Sequence, residues 1–441
     1  MFIRATVSLL AWKKTVTVFG ARHTCTTTGL NLPQMLAEQP GQVTVLGSTY
    51  NTDSATNVSP RILTRLDWRL HNQKCHPINI IRQRIQNFFY SHFLNRSGNP
   101  MFSVYDNLSP VVTLEQNFDS LFVPENHPSR APSDSYYINQ KYMLRAHTSA
   151  HQRDLIRSGL DAFLVVGDVY RRDTIDKSHY PVFHQMEGVR LYTEHELFSE
   201  VKDPRGLSLF EDGRRLSDKQ ETHSLEAAKL SEHRLKSTLE KLAVHLFGKD
   251  IEMRWVEAYF PFTHPSWELE IKFAGEWLEV LGCGTMEQKL LHSGGAGDKV
   301  GWAFGLGLDR LAMLLFDIPD IRIFWSRDSG FLSQFNIADI NSDIKYKPVS
   351  LYPQCISDLS FWIPEAFSEN DFFDIVRNIG GDLVEQVVNI DTFVHPKTQR
   401  SSHCYRIVYR HTDRTLTQAE VNEVHKMIAK EAEAVLKVEI R

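Results

Sequence analysis

The 441-residue sequence predicts an α+β protein with two globular domains, and three observations support that class. The length exceeds the roughly 100–200 residues of a single domain. Two apolar, strand-like runs, at 163–170 and 182–192, are joined by a polar loop. Residues 351–441 alternate as strand, helix, strand, strand, helix and strand, which is a ferredoxin-like order. We therefore predict a large domain at 37–335, a polar linker at 336–350, and a ferredoxin-like domain after it.

The composition excludes several other classes of protein. Apolar residues make up 42% and charged residues 23% of the chain, as in ordinary globular proteins. We expect no membrane partner, because no apolar run approaches the roughly 20 residues of a membrane span. The five cysteines form no C-x-x-C pair, which fits a reducing compartment and argues against a disulfide framework or a zinc site. With a net charge of −5, any contact with nucleic acid must come from a local basic surface.

The first 36 residues differ from the rest and predict a mitochondrial presequence. They are rich in Ser and Thr, and they contain four basic residues and no acidic one. Their removal would change the formal charge from −5 to −9. A secretory signal is the alternative, but Lys13 and Lys14 interrupt its apolar run and no clear small-residue cleavage site follows. A tail with incidental charge is the plainest alternative.

Helical spacing and cap residues predict the helices of the large domain. Apolar residues recur at helical spacing over 76–94 and over 226–247. Thr148 or Ser149 is expected to cap a helix that ends at Gly159. Its N-terminus would present free N–H groups suited to a carboxylate, although a plain capped helix explains the pattern equally well.

The strand at 182–192 predicts a ligand site. Because side chains alternate along a strand, Phe183, Gln185 and Glu187 share one face. An aromatic ring, an amide and a carboxylate near Arg171 make a poor hydrophobic core. They suit a ligand that has a flat ring, an ammonium group and phosphates.

Further candidate residues lie between 253 and 316. Phe260 and Phe262 flank Pro261, which is expected to hold the backbone extended; two such aromatics are more often core than ligand pocket. Glu279 lies in a strand beside Leu281 and Cys283, expected on one side. A carboxylate among apolar neighbours needs a cation, a metal or a ligand, and a structural salt bridge is the alternative.

A glycine-rich stretch ends in GLGLDR, where a strand passes into a helix. Neither the phosphate-loop nor the dinucleotide fingerprint occurs there. Arg310 lies in the first turn of that helix, where the helix dipole disfavours a cation unless an anion is bound.

The elements of the C-terminal domain carry strong boundary signals. Ser368 is expected to cap the helix at 369–379, and Thr417 with Glu420 to form a capping box at the start of the helix at 418–436. A run of basic residues extends from the loop after the strand at 384–394, through the strand at 403–410, to the start of the last helix. A solvated strand face is the plain interpretation, and phosphate contacts are the alternative that implies a function. The run comprises Lys397, Arg400, Arg406, Arg410 and Arg414.

Several separated segments resemble class II aminoacyl-tRNA synthetases, in particular the phenylalanyl enzymes. FHQMEG resembles motif 2, NFDSLFVPENHPSR the segment of motif 1, and GLGLDR motif 3, with aspartate in place of the more usual glutamate. The ends of the last domain, YPQCISDLSFW and LTQAEVNEV, resemble the ferredoxin-fold anticodon-binding domain of the same family. The resemblance implies a class II catalytic domain with an antiparallel sheet, followed by an anticodon-binding domain.

The resemblance also implies roles for particular residues. Arg171, Glu279 and Arg310 would be catalytic: Arg171 would contact the α-phosphate of ATP, Arg310 the γ-phosphate, and Glu279 a magnesium ion. The basic run of the last domain would contact tRNA. The residues that would bind phenylalanine and ATP are His147, Ser149, Ala150, His151, Gln152, Arg171, Ser178, His179, Tyr180, Phe183, Gln185, Met186, Glu187, Phe260, Phe262, Glu279, Ala303 and Phe304.

The function that the resemblance implies is ATP-dependent attachment of phenylalanine to mitochondrial tRNA(Phe) through phenylalanyl-adenylate. ATP and Mg²⁺ would be required, and the location would be the mitochondrial matrix. Because the catalytic and anticodon-binding domains share one chain, we expect a monomer.

The sequence leaves two other functions open. A paralogue could keep the fold and bind RNA without charging it, although the joint presence of Arg171, Glu279 and Arg310 argues against that. A ligase acting on another acid, of the lipoyl or biotin type, would not explain the C-terminal domain. Class I synthetases are disfavoured because H-I-G-H and K-M-S-K-S are missing.

Overall fold

The computed structural model describes residues 41–326, 329–348, 352–411 and 414–441. The predicted presequence at 1–36 lies outside the described residues. The described residues belong to one compact unit. Within the ranges given above, no helix has the length and apolar character needed to cross a membrane.

The strands fall into a larger set before the linker and a smaller set after it. The larger set is β1 (Gln42–Val45), β2 (Ser48–Asn51), β3 (Ser103–Tyr105), β4 (Val111–Thr113), β5 (Tyr142–Leu144), β6 (Ala162–Tyr170), β7 (Val182–Tyr192), β8 (Met253–Phe260), β9 (Thr263–Phe273), β10 (Glu276–Met286) and β11 (Val300–Gly307). The smaller set is β12 (Cys355–Trp362), β13 (Val384–Val394), β14 (Ser401–Tyr409) and β15 (Glu439–Ile440).

The helices range from single turns to a helix of 23 residues. They are α1 (Pro60–Leu63), α2 (Pro77–His92), α3 (Leu114–Asn117), α4 (Gln152–Arg157), α5 (Glu194–Leu197), α6 (Leu225–Phe247), α7 (Gln288–Ser293), α8 (Leu308–Phe316), α9 (Ser329–Gln334), α10 (Glu369–Gly380) and α11 (Gln418–Leu436).

The large domain is built on a seven-stranded sheet in the order β3-β6-β7-β11-β10-β9-β8. Neighbouring strands are antiparallel except for the parallel pair β3 and β6. The antiparallel sheet expected for the class is therefore confirmed. The helices α2, α6 and α8 cover one face, where the ring of Phe89 from α2 stacks on Phe304 of β11 at 5.4 Å between centroids.

The long helices follow the sequence signals closely. The helix expected at 76–94 is α2, and it begins at Pro77 because a proline at the first helical position gives up only an N–H that would have no helical partner. The helix expected at 226–247 is α6, which Ser224 caps by accepting a hydrogen bond from the N–H of Ala227. Both predictions are confirmed to within two residues at each end.

The expected cap at Thr148 or Ser149 is wrong. Residues Thr148–His151 form a 3₁₀ turn, and α4 begins only at Gln152. The Ser149 hydroxyl donates to the carboxylate of Glu187 instead of capping a helix. The buried carboxylate of Glu187 is a strong hydrogen-bond acceptor, so the hydroxyl donates to it and accepts no capping hydrogen bond from a backbone N–H.

The C-terminal domain has the expected β-α-β-β-α-β order, with strands in the spatial order β13-β14-β12-β15. The capping box of Thr417 and Glu420 at the start of α11 is confirmed. Ser368 stands at the N-cap of α10, but its side chain makes no capping hydrogen bond, so that detail is wrong. The helices α10 and α11 pack on one face of the sheet, around buried Phe361, Tyr405 and Ile407.

The C-terminal domain packs against the large domain through polar contacts and through Ile175, which is buried with the C-terminal core residues. The hydroxyl of Tyr180 donates to Asp382 at 2.8 Å, and the guanidinium of Arg172 lies 3.0 Å from Asp371. Residues 336–348 contain no helix or strand and lie against the large domain, where Tyr346 N–H donates to the Phe316 carbonyl at 2.7 Å. The boundaries 37–335, 336–350 and 351–441 stay a prediction.

Candidate active site

A cavity of about 560 Å³ opens on the sheet face opposite to the long helices. Strands β7, β10 and β11, the turn between β8 and β9, and the 3₁₀ turn at Thr148–His151 contribute its walls. The sequence-predicted residues that line it are His147, Ser149, Gln152, Arg171, Gln185, Glu187, Phe260, Phe262, Glu279, Ala303 and Phe304.

The carboxylate of Glu187 is the most unusual group in the cavity. It is 3% exposed, and it accepts hydrogen bonds from the hydroxyls of Ser149 and Thr148 and from the Gln152 amide at 2.5 Å. In the described chain it has no Lys, Arg or His partner. Burial raises the pKa of Glu187 to about 7, although the three hydrogen bonds oppose the rise. A ligand ammonium group would supply the missing cation.

Arg171 lies at the end of the cavity nearest Phe183. Its Nε donates to the Ala146 carbonyl at 2.8 Å, and its guanidinium carbon lies 5.2 Å from the centroid of the Phe183 ring. Burial lowers the pKa of Arg171, while the negative charges of Asp173 and Glu279 raise it, and a guanidinium keeps its charge under any ordinary condition. The side chain is therefore a fixed cation that can face an anionic ligand group.

The aromatic wall of the cavity consists of Phe260 and Phe262. Their ring centroids are 6.3 Å apart at 30°, and the His147 ring stacks on Phe262 at 6.5 Å. The expected extended backbone at Pro261 is wrong, because residues 261–262 form the tight turn between β8 and β9. Gly282 faces this wall, and a Cβ there would lie 2.7 Å from Cζ of Phe260.

Ala303 and Phe304 differ in how they meet the cavity. Ala303 is buried beside Met286 and Val189, and its small side chain leaves room above the sheet. The ring of Phe304 turns into the core, where it stacks on Phe89. Phe304 therefore supports the floor of the cavity from below.

Glu279 reaches the cavity because of a β-bulge. The register between β10 and β9 shifts between Glu279 and Leu281, so Val280 is an extra residue. A bulge reverses the alternation of side chains beyond it. Glu279 therefore shares a face with Gly282, whereas Leu281 and Cys283 are buried in the core. The expectation that Glu279, Leu281 and Cys283 lie on one side is wrong.

Arg310 lies beside Glu279 at the rim. It is in the first turn of α8, its side chain is exposed, and its Nη1 donates to the Glu279 carbonyl at 3.3 Å. The preceding residue, Asp309, is 2% exposed and accepts a hydrogen bond from the backbone N–H of His184 at 2.6 Å. This contact ties the start of α8 to β7.

Several expected site residues do not line the cavity. Met186 alternates to the opposite face of β7 and belongs to the hydrophobic core, and Ala150 is buried in a second core cluster. His151 is buried with its Nε2 2.9 Å from Nη1 of Arg145. Phe183 stands beside the cavity, beneath Arg171.

The loop at 178–180 lies apart from the cavity. The ring of His179 is held by Asp176 at 2.7 Å, and that hydrogen bond raises the pKa of His179. Ser178 also donates to Asp176. Tyr180 stacks on Trp325 at 5.4 Å and binds Asp382 of the C-terminal domain, so the structure does not bring it to the cavity.

Other residues at or near the cavity were not among those predicted from the sequence, and Glu268 and Tyr259 are two of them. Glu268 pairs with Gly282 across β9 and β10 and lies near Glu279; burial, followed by the charges of Glu279 and Glu270, raises its pKa. Tyr259 lines the mouth and is 76% exposed. The two-residue period of β9 could have placed Glu268 on the same face as Glu279 only if the bulge in β10 had been known. Nothing in the sequence marked Tyr259.

The basic run of the C-terminal domain is largely paired internally. Arg406 lies 2.7 Å from Asp358, and Arg410 lies 3.0 Å from buried Glu385. Arg400 and Arg414 lie 2.6 and 2.8 Å from Glu439 and Glu420. Among the described residues Lys397 has no ion pair.

Two family models match the chain. Residues 64–201 and 223–335 match the class II core domain (F) of tRNA synthetases, and residues 350–441 match the ferredoxin-fold anticodon-binding domain. Together with the antiparallel sheet and its cavity, these matches define an aminoacyl-tRNA synthetase of class II.

Curated relatives specify the member of that class. The mitochondrial phenylalanine–tRNA ligase of Mus musculus is 59% identical over 91% of this chain and 90% of its own, and that of Rattus norvegicus is 56% identical over the same shares. A probable mitochondrial phenylalanine–tRNA ligase of Drosophila melanogaster is 54% identical over 97% of this chain and 99% of its own. The chain belongs to the phenylalanine–tRNA ligase family of class II tRNA synthetases.

Proposed function

We propose that this chain attaches phenylalanine to mitochondrial tRNA(Phe) with ATP, through a phenylalanyl-adenylate. Family membership supports the reaction class. The observation that carries the substrate is the cavity itself, where the buried carboxylate of Glu187 faces no cation of the described chain and lies near the aromatic wall of Phe260 and Phe262. A carboxylate for an ammonium group and a ring-sized apolar slot together match an aromatic amino acid.

Amino-acid binding follows from these contacts. The substrate ammonium would pair with Glu187 and Gln185, and its ring would lie against Phe260 and Phe262. Ring contacts of this kind contribute about 0.5–1.5 kcal/mol per pair beyond burial. The substrate carboxylate would lie near Ser149 and Arg171, where the charge of Arg171 offsets its desolvation.

The adenylation step would use charges that the described chain leaves without ion pairs. The adenine would stack on Phe183, with His179 nearby, and Arg171 would contact the α-phosphate while Arg310 contacts the γ-phosphate. The substrate carboxylate attacks the α-phosphorus in line, a new C–O–P bond forms, and pyrophosphate leaves. Because the nucleophile belongs to the substrate, most of the protein's contribution is positioning and charge stabilisation.

Residues at the rim fit a magnesium ion. Mg²⁺ prefers carboxylate and phosphate oxygens. Glu279 is exposed at the rim and Glu268 lies near it on the same face of the sheet, so carboxylate oxygens are available beside the proposed phosphate position. Glu279 would hold the ion, with Glu268 nearby. When bound, magnesium would neutralise charge on the triphosphate.

The tRNA would meet the open face of the C-terminal sheet. Lys397, Arg400, Arg406, Arg410 and Arg414 remain the proposed phosphate contacts. The same face carries Trp362 and Phe393, whose ring centroids are 6.2 Å apart. The guanidinium of Arg400 lies 5.2 Å from the Trp362 ring. Phe393 is exposed and Trp362 is half-buried, and aromatic rings beside arginines on an open sheet face are a suitable surface for stacking unpaired bases.

An aminoacylation assay tests the proposed function. Protein comprising residues 37–441 should charge a mitochondrial tRNA(Phe) transcript with labelled phenylalanine when ATP and Mg²⁺ are present, and EDTA should abolish charging. Light scattering of the purified protein should give the mass of one chain. Cell fractionation should find the mature protein in the mitochondrial matrix. Failure to charge, with a folded protein, would refute the function; an obligate dimer would refute only the monomer.

A further inference from the structure

The aromatic wall of the cavity rests on a segment that the family model does not match. The matched residues stop at 201 and resume at 223. Between them, residues 209–222, here named the bracing segment, lie against the turn that carries Phe260 and Phe262. Leu216 N–H donates to the Lys219 carbonyl at 2.9 Å, so a tight turn forms at the tip of the segment.

Gln220 is the main contact between the bracing segment and the wall. Its side chain is buried, with 1% exposure. Its amide nitrogen donates to the carbonyls of His264 and Met286, both at 2.8 Å, and its amide oxygen accepts from the N–H of Gln288 at 2.8 Å. One side chain therefore joins the start of β9, the end of β10 and the start of α7.

Arg215 adds a second contact from the same segment. Its guanidinium makes three hydrogen bonds of 2.7–2.9 Å to the carboxylate of Glu287, which is 4% exposed. The backbone N–H of Glu287 in turn donates to the carbonyl of Phe262 at 3.0 Å. The chain of contacts thus runs from Arg215 through Glu287 to the aromatic wall.

A third contact holds the turn from its other side. The ring of His264 lies with Nε2 2.6 Å from the carbonyl of Leu216 at the tip of the bracing segment. His264 follows Phe262 by two residues. The turn between β8 and β9 is therefore fixed by the bracing segment through its side chain and its backbone.

We propose that the bracing segment sets the position of the aromatic wall, with Gln220 as its positioning residue. The segment would thereby decide how closely the cavity fits a phenyl ring and how strongly it rejects the additional hydroxyl of tyrosine. This inference rests on the proposed phenylalanine function. None of these side chains touches the reacting atoms, so the effect is on selectivity and amino-acid affinity.

The test compares Gln220→Ala with wild type by ATP–pyrophosphate exchange. We expect KM for phenylalanine to rise about tenfold, KM for ATP to stay within about twofold, and the preference for phenylalanine over tyrosine to fall about tenfold, because a wall displaced by a fraction of an ångström loses close fit. Arg215→Ala should give the same split at about threefold, since Arg215 is half-exposed and acts through Glu287.

Asn79→Ala is the matched control. Asn79 is a buried amide that donates to the His71 carbonyl at 2.7 Å and accepts from Gln83 at 2.9 Å, and it does not line the cavity. It should lower the melting temperature without changing either KM or the tyrosine preference. Unchanged selectivity in Gln220→Ala, or a parallel rise of both KM values, would overturn the inference.

Arg215→Ala and the wild-type enzyme distinguish the remaining outcomes. If Gln220→Ala does not fold, Arg215→Ala decides, and a lack of any split between phenylalanine and ATP there overturns the inference. An active wild type with unchanged variants refutes this inference alone, whereas a wild type that shows no exchange with phenylalanine refutes the proposed function.

Discussion

The cavity of the large domain and the basic strand surface of the C-terminal domain differ in whether their charged side chains form ion pairs. In the described chain, Glu187, Arg171 and Arg310 have no ion pair, although Glu187 is almost fully buried. In the C-terminal domain Arg400, Arg406, Arg410 and Arg414 are each paired with a carboxylate of the same domain.

This difference indicates which ligand each surface is built for. An unpaired buried charge is costly in the free protein and is compensated when a small ligand brings the opposite charge. The pairs of Arg400, Arg406 and Arg414 are largely exposed, and pairs of that kind contribute only about 0–1 kcal/mol. Arg410 differs, because its partner Glu385 is buried. The cavity therefore suits a small ligand that carries a complementary charge, whereas Arg400, Arg406 and Arg414 could contact phosphates at small cost.

The largest expected effect comes from removing an unpaired charge at the rim. Arg310→Ala should lower phenylalanine-dependent ATP–pyrophosphate exchange by about 10²- to 10³-fold, because a preorganised cation that faces developing phosphate charge is lost. Since Arg310 is exposed, the melting temperature of the variant should match that of wild type. Near-normal exchange would show that the unpaired charge has no catalytic role.

Glu187→Gln should weaken phenylalanine binding by roughly 10- to 100-fold, which is the loss of a charge-assisted hydrogen bond in a buried site. The pKa of Glu187 is raised to about 7 by burial, so the wild-type carboxylate loses its charge as pH falls below about 7. Wild-type kcat/KM for phenylalanine should therefore decrease as the pH is lowered below about 7. The variant should lack this dependence, and a retained dependence would assign it to another group.

The same substitution should stabilise the ligand-free protein. A folded-state pKa above the ordinary value of 4.5 means that the protonated form favours folding, so this stability is present below about pH 4.5 and is lost as pH rises through 7. At pH 8, Glu187→Gln should unfold with a free energy about 1–3 kcal/mol higher than wild type, and the difference should shrink as pH falls and vanish near pH 4. Chemical denaturation at both pH values measures it; equal stability at pH 8 would contradict the unpaired buried charge.

An intermediate effect is expected at the C-terminal aromatic pair. Trp362→Ala should raise KM for tRNA about tenfold, because stacking of one base on an aromatic ring contributes about 1–3 kcal/mol. Pyrophosphate exchange, which needs no tRNA, should be unchanged, and Trp362→Phe should restore most of the affinity. A fall in exchange activity would show that Trp362 stabilises the fold and would contradict a role limited to tRNA binding.

The smallest effect concerns a paired arginine. Arg406→Ala should raise KM for tRNA only about two- to threefold, since Asp358 already occupies its guanidinium in two hydrogen bonds. Asp358→Asn should free Arg406 and tighten tRNA binding by about twofold at low salt. Filter binding over a range of salt concentrations measures the tRNA affinity of both variants. A large loss of tRNA affinity in Arg406→Ala would contradict the view that this paired arginine contributes little.

Much of the fold follows from local signals in the sequence. The helical spacing of α2 and α6, the capping box at Thr417 and the strand at Val182–Tyr192 have their causes within a few residues, so they were predicted correctly. The choice of Glu187 and Gln185 followed from the two-residue period of a strand. The wall of Phe260 and Phe262 and the roles at the rim came from the resemblance.

What the sequence could not show depends on residues that are distant along the chain. The hydroxyl of Ser149 donates to Glu187, which is 38 residues away, and caps no helix. The bulge at Val280 arises from pairing with β9, and periodicity within β10 alone gives the wrong face for Leu281. Tyr180 faces Asp382, 202 residues away, because the two domains pack together.

The most direct test of the central claim is ATP–pyrophosphate exchange by residues 37–441 with each of the twenty amino acids. The account predicts strong exchange with phenylalanine, weaker exchange with tyrosine and background with the others, because the cavity joins an unpaired carboxylate to an aromatic wall. Background exchange with all twenty, or a preference for a non-aromatic amino acid, would contradict it.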